Sequence, residues 1–99
     1  MTRLFDNFEN NNRLQFRVLR TDSRVGLTFA VLACEAPEGS KRRIRNQSNA
    51  RKAYDTVLSF SRKTSFTPAE WQELAANLDD LKSTLEELGE HFSDGESHR

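Results

Sequence analysis

Apolar residues recur along this chain in three blocks of similar length, separated by short polar breaks. The last block is the plainest. Thr67 stands where a helix N-cap is needed, Pro68 follows at N1, and Glu70 at N3 is placed to close a capping box. Phe66 and Trp71 have the spacing of a hydrophobic staple across that start. Trp71, Leu74, Leu78, Leu81, Leu85, Leu88 and Phe92 then follow in steps of three and four, an apolar arc of about 100°. The spacing predicts a helix over 68–92, ending near Phe92 unless Gly89 stops it early.

In the second block, 41–62, Ala50, Ala53, Tyr54, Val57, Leu58 and Phe60 share one side, within roughly 160° of arc. Arg51, Lys52, Asp55 and Arg62 lie on the other. Ser40 offers a cap, with Ser48 as a later alternative. A start at Ser40 sets Lys41, Arg42 and Arg43 at the positive end of the helix dipole, which is unfavourable unless the first turns fray or something anionic faces them.

The first block supports two readings. As strands, Leu14, Phe16 and Val18 alternate with polar residues, 21–24 turns, and Val25, Leu27, Phe29 and Val31 alternate again, a β-hairpin over 13–33. As a helix over 13–36, Leu14, Val18, Val25, Phe29, Leu32 and Ala36 fall within about 60°, and Phe16, Leu27, Ala30 and Cys34 form a second apolar side. Pro37 and Gly39 stop either version. Length favours the helix, because 13–36, 41–62 and 68–92 would each span about 33–38 Å. Three matched helices with short links make an antiparallel all-α three-helix bundle. A lone two-stranded sheet packed on two helices, the alternative, is a weak platform. Gly26 then costs about 1 kcal/mol inside a helix, which implies close packing at that point or a bend near Asp22-Ser23.

Residues 1–12 read as a short arm, with Leu4, Phe5 and Phe8 followed by a linker at Glu9-Asn10-Asn11-Asn12; 13–92 reads as the helical domain and 93–99 as a flexible tail. The 99 residues suffice for one small domain of marginal stability. No run approaches the roughly 18–20 apolar residues of a membrane span, the start is unlike a signal peptide, and a single cysteine builds no internal disulfide. A cytoplasmic protein with no membrane association is the expectation.

Charge changes the picture more than composition does. The net charge is zero, yet residues 1–66 carry +7 and residues 67–99 carry −7. Within 41–63 stand eight basic residues and one acid, Asp55. Lys41, Arg42, Arg43, Arg45, Arg51 and Lys52, interleaved with Asn and Gln, have the composition of a phosphate-contacting segment, so nonspecific nucleic-acid binding through 41–52 is one expectation. The other is that this face steers or docks an acidic partner, or the acidic third helix of the same chain.

Catalytic chemistry is poorly supported. Cys34 has no histidine near it and reads as a small packed hydrophobe. His91 and His98 beside Asp94 and Glu96 match no metal-ligand spacing. Asp79, Asp80, Glu86 and Glu87 read as a solvated helix face, and no phosphate loop or nucleophile motif occurs. No cofactor is expected. If one side of the first helix enters the bundle, Phe16, Leu27 and Cys34 are left on the other, so Phe16 and Leu27, with Tyr54, become candidate apolar anchors. These residues point to a protein–protein interaction or assembly module whose partner is another protein or a second copy.

Ala50-x-x-x-Tyr54-x-x-Val57-Leu58, followed by Thr67-Pro68 and a new amphipathic helix, resembles the second helix of a tetratricopeptide repeat leading into the next, over about 25 residues. No second full repeat is present and the expected period is not kept. The resemblance implies a protein-interaction hairpin.

Overall fold

The computed structural model describes residues 2–92, with side chains from Asn11 onward. Three helices follow in order: α1 (Thr2–Glu35), α2 (Lys41–Ser61) and α3 (Pro68–Glu87). Among the described residues there is no strand, so the hairpin alternative for 13–33 is excluded. They form an antiparallel three-helix bundle in which α1 packs against both other helices, and α2 and α3 meet least. At about 51 Å, α1 is the spine, and the bundle measures 57 × 33 × 17 Å.

The first helix starts at Thr2 rather than near residue 13, and runs unbroken through the expected linker Glu9–Asn12. Asparagine costs only a few tenths of a kcal/mol per position, and elongating an established helix gains one hydrogen bond per residue. The apolar arm residues Leu4, Phe5 and Phe8 have side chains outside those described, as has the whole of 93–99.

The second and third helices start where the caps place them. Ser40 accepts a hydrogen bond from the Arg43 backbone N–H at 3.1 Å. Thr67 Oγ1 accepts from the Glu70 N–H at 3.1 Å, and Glu70 Oε1 accepts from the Thr67 N–H at 3.0 Å, completing the capping box. Phe66 and Trp71 stack with ring centroids 5.8 Å apart, the expected staple.

The third helix takes the earlier of its two endings. Gly89 has φ +100°, its N–H donates to Glu86 O, and the Glu90 N–H donates to Leu85 O, the two bonds of a Schellman motif. Phe92 therefore reaches the core from a returning segment, its ring 4.9 Å from that of Tyr54 and edge-on to it.

The buried face of α1 is the reverse of the expected one. Phe16, Leu19, Ser23, Gly26, Ala30 and Ala33 are buried, in strict steps of three and four. Leu14, Val18, Val25 and Leu32 are 56%, 50%, 45% and 42% exposed. Volume explains the inversion. The small residues on the buried face let two helices approach α1 together. At Gly26, a Cβ would stand 2.8 Å from Ala53 Cβ of α2 and 2.9 Å from Leu81 Cδ2 of α3. The valine–leucine side would hold both partners further off, at a loss of packing. Of the two reasons offered for Gly26, close approach is the one observed. Nearby, Ser23 donates to Arg20 O at 2.7 Å and accepts from Asn77 Nδ2 at 3.2 Å, so the buried hydroxyl is satisfied on both sides.

Candidate interaction surface

The basic run divides into two sets once the helices are packed. Arg43 and Arg51 turn inward to the protein itself. The Arg43 guanidinium donates to the carbonyls of Ala33 and Ala36 at 3.3 Å each, and to Cys34 O at 3.5 Å. These are the orphan acceptors at the negative end of α1, so Arg43 neutralises one helix end while starting the next. That resolves the cost of a basic first turn in α2: the anionic partner is the neighbouring helix dipole. Arg43 is thereby a structural residue and not a free docking group.

Arg51 is also committed. Its guanidinium meets both Asp55 oxygens at 3.2 Å, Glu90 Oε1 at 2.8 Å and His91 O at 3.0 Å, and lies 4.2 Å from the Phe92 ring centroid. Partial burial works against its charge, but Asp55 and Glu90 outweigh it and hold its pKa above the ordinary value. Gln47 adds a 2.6 Å bond to Glu90. Together these contacts clasp the returning segment onto α2.

Lys41, Arg42, Arg45 and Lys52 form the second set. All four are exposed, and none pairs with an acid among the described residues. Lys41, Arg45 and Lys52 fall within about 40° of one another on the outer side of α2. The acidic third helix does not cover them. Asp79, Asp80, Glu86 and Glu87 face solvent, and Glu73 is taken by Arg20 and Arg24 of α1 at 3.6 and 3.0 Å. Among the described residues, Arg51 is the one cation of the run 41–52 that pairs with an acid beyond its own helix, and Gln47 joins it on the same Glu90.

The apolar anchors read from the sequence are displaced in the same way. Phe16 is 7% exposed and Tyr54 5%, so neither is available to a partner. Phe16 meets the Phe66 ring edge-on at 6.2 Å and lies under the Arg20 guanidinium at 5.1 Å, closing the end of the core where α3 begins. Leu27 is half-buried, and Cys34, expected to pack, is exposed instead. The large apolar residues that do reach solvent are Leu14, Val18, Val25, Val31 and Leu32 on α1, Ile44 and Phe60 on α2, and Trp71 on α3. The signal for this was present in the sequence. A repeat of small residues at three–four spacing marks a helix face built for close contact.

Concave features are modest. One cleft of about 230 Å³ lies among Asn12, Arg13, Phe66 and Glu70, and another of about 340 Å³ among Ile44, Gln47, Arg51 and Glu90. Cys34 and His91 line neither. Among the described residues no group of three His, Cys, Asp or Glu side chains is placed to hold a metal, and no helix is long and apolar enough to cross a membrane. His98, the other half of the histidine pair, lies outside the described residues.

No family model, curated protein or solved structure matches the chain, including any tetratricopeptide family. The surface is therefore understood from its own chemistry: a row of large aliphatic side chains on the spine helix, and a separate unpaired basic stripe on α2.

Proposed function

We propose that the protein is a small helical protein–protein interaction or assembly module without catalytic activity. The observation that supports this is the outward row of α1. Along α1 the close contacts at Ser23, Gly26, Ala30 and Ala33 are made by small residues, while Leu14, Val18, Val25 and Leu32 are left in solvent, an apolar row of the kind a partner covers. The exposed basic stripe on α2 supplies long-range attraction to an acidic partner.

The test compares the wild-type chain with a Val18→Asp/Val25→Asp variant. The wild type is expected to associate, with itself or with a protein retained from native extract, and the variant to lose that association while keeping its helical circular dichroism. An unchanged set of associations in the variant would refute the reading.

A second reading, nonspecific nucleic-acid binding, is favoured by the unpaired Lys41, Arg42, Arg45 and Lys52. It predicts weak binding that falls steeply with salt, and a further loss in Arg42→Ala/Arg45→Ala irrespective of base sequence. Arg43 is unsuitable for that experiment because its removal also uncaps α1. Absence of binding to short duplex DNA and single-stranded RNA at low salt would end this reading.

A further inference from the structure

We infer that the outward row of α1 is a dimer interface, covered by α1 of a second copy lying parallel and in register. This rests on the interaction reading above and names its partner.

Val18, Val25 and Leu32 recur every seven residues, with Leu14, Thr21 and Thr28 interleaved between them, the a and d positions of a heptad. This heptad is separate from the buried one at Phe16, Leu19, Ser23, Gly26, Ala30 and Ala33. All six residues of the outer row are exposed, so α1 carries a second seam that α2 and α3 leave uncovered. Val18 and Val25 at a with Leu14 at d follow the pattern that favours two strands, while Thr21 and Thr28 fill the other d positions and Leu32 the last a. Asn11, one heptad before Val18, is also exposed, and a single asparagine at an a position specifies a parallel, in-register pair.

The flanking charges select the same arrangement. Arg17 occupies g, and five residues on, Asp22 occupies e, the offset at which g and e side chains meet across a parallel seam. Arg17 of one subunit would pair with Asp22 of the partner subunit, twice by symmetry. Neither has an ion-pair partner among the described residues of its own chain. An antiparallel pairing would instead bring Arg24 near Arg24 and Asp22 near Asp22 of the partner subunit.

The extent is adequate. From Asn11 to Leu32 the seam is about 32 Å long, and pairing two such helices buries on the order of 1,200–1,600 Å² in total, the range of a specific interface. A second bundle approaching this row meets no obstruction from α2 or α3, which pack against the other side of α1.

The experiment uses the purified full chain in a Cys34→Ser background, measured by sedimentation equilibrium and by non-reducing electrophoresis after mild oxidation. The expected result is a monomer–dimer equilibrium, with Val18→Cys forming a disulfide-linked dimer. In an antiparallel pair the two Val18 positions would be about 15 Å apart and could not be linked. Val25→Asp should weaken dimerisation at least about tenfold. Asp22→Arg should weaken it too, and Arg17→Asp/Asp22→Arg should restore it, which a merely structural effect on the monomer would not do. A folded protein that stays monomeric to millimolar concentration overturns the dimer. If the Val18→Asp/Val25→Asp variant has then lost a partner from native extract, the interaction reading stands and another protein occupies the seam. A dimer that tolerates Val25→Asp, or that fails to link through Val18→Cys, overturns this geometry.

Discussion

Gly26→Val is expected to destabilise the bundle by at least about 3 kcal/mol, enough to leave much of the chain unfolded at physiological temperature if the native margin is small. A Cβ at this position meets Ala53 Cβ at 2.8 Å and Leu81 Cδ2 at 2.9 Å. The leucine end can swing aside. The alanine methyl is fixed to the α2 backbone, so the helices themselves must part. Even alanine, which gains about 1 kcal/mol of helix propensity over glycine, should lower stability here, because separating α1 from α2 loosens contacts along the whole seam. Moving the methyl across the gap supplies the control. Gly26→Ala/Ala53→Gly keeps one methyl between the helices and should unfold at higher urea than Gly26→Ala alone. If Gly26→Val melts with the wild type, the close approach is not what holds these helices together.

The second large effect is on the opposite wall of the same junction. Leu81 is fully buried between α1 and α2, and Leu81→Ala should cost about 2–5 kcal/mol by lost transfer energy and an unfilled cavity. Leu32→Ala, on the outer row, should change the stability of the monomer by no more than about 0.5 kcal/mol. The contrast between two leucines in one small protein tests which face of α1 is inside, and comparable losses would contradict the packing. Because Leu81 also crowds Gly26, Gly26→Ala should be less damaging in the Leu81→Ala background. Urea unfolding at low protein concentration measures all three, and keeps dimer formation out of the comparison.

How far the sequence carried depends on the kind of signal. Where information is local, it was complete. Thr67, Pro68 and Glu70 specify a helix start through groups within four residues of each other, and both capping bonds form as read. Ser40 caps α2 for the same reason. Gly89 ends α3 because a left-handed residue there satisfies two orphan carbonyls locally.

Where several helices must agree, periodicity left a choice. On α1 two apolar faces satisfied a helical pattern, and the one with the larger residues was the natural candidate for the core. Packing favoured the other. The distance between helix axes depends on the smallest residues at the contact, and Gly26, Ala30 and Ala33 admit two neighbours where Val18, Val25 and Leu32 would not. Phe16 passed from surface to core by that one decision and Cys34 from core to surface, while Tyr54 is buried on α2 under the returning Phe92.

The basic run shows the same division between composition and place. Six cations in twelve residues suggested one surface. Arg43 instead reaches the carbonyl end of α1, and Arg51 gathers Asp55, Glu90 and Phe92, leaving Lys41, Arg42, Arg45 and Lys52 outside. Neither contact is encoded by spacing, since each depends on a helix end or a returning segment arriving from elsewhere in the chain.

By itself, the sequence favoured a helix over a hairpin for the first block, left two endings for α3, and determined the second and third helices, both their starts and a strong separation of charge. These follow from hydrogen bonds and side-chain periods that close within a turn or two. Tertiary structure alone decided which face of α1 is buried, which cations of 41–52 pair within the described residues, and hence which surface stays exposed. Those outcomes turn on the volume left between helices that are distant in sequence, and a one-dimensional pattern does not contain that volume.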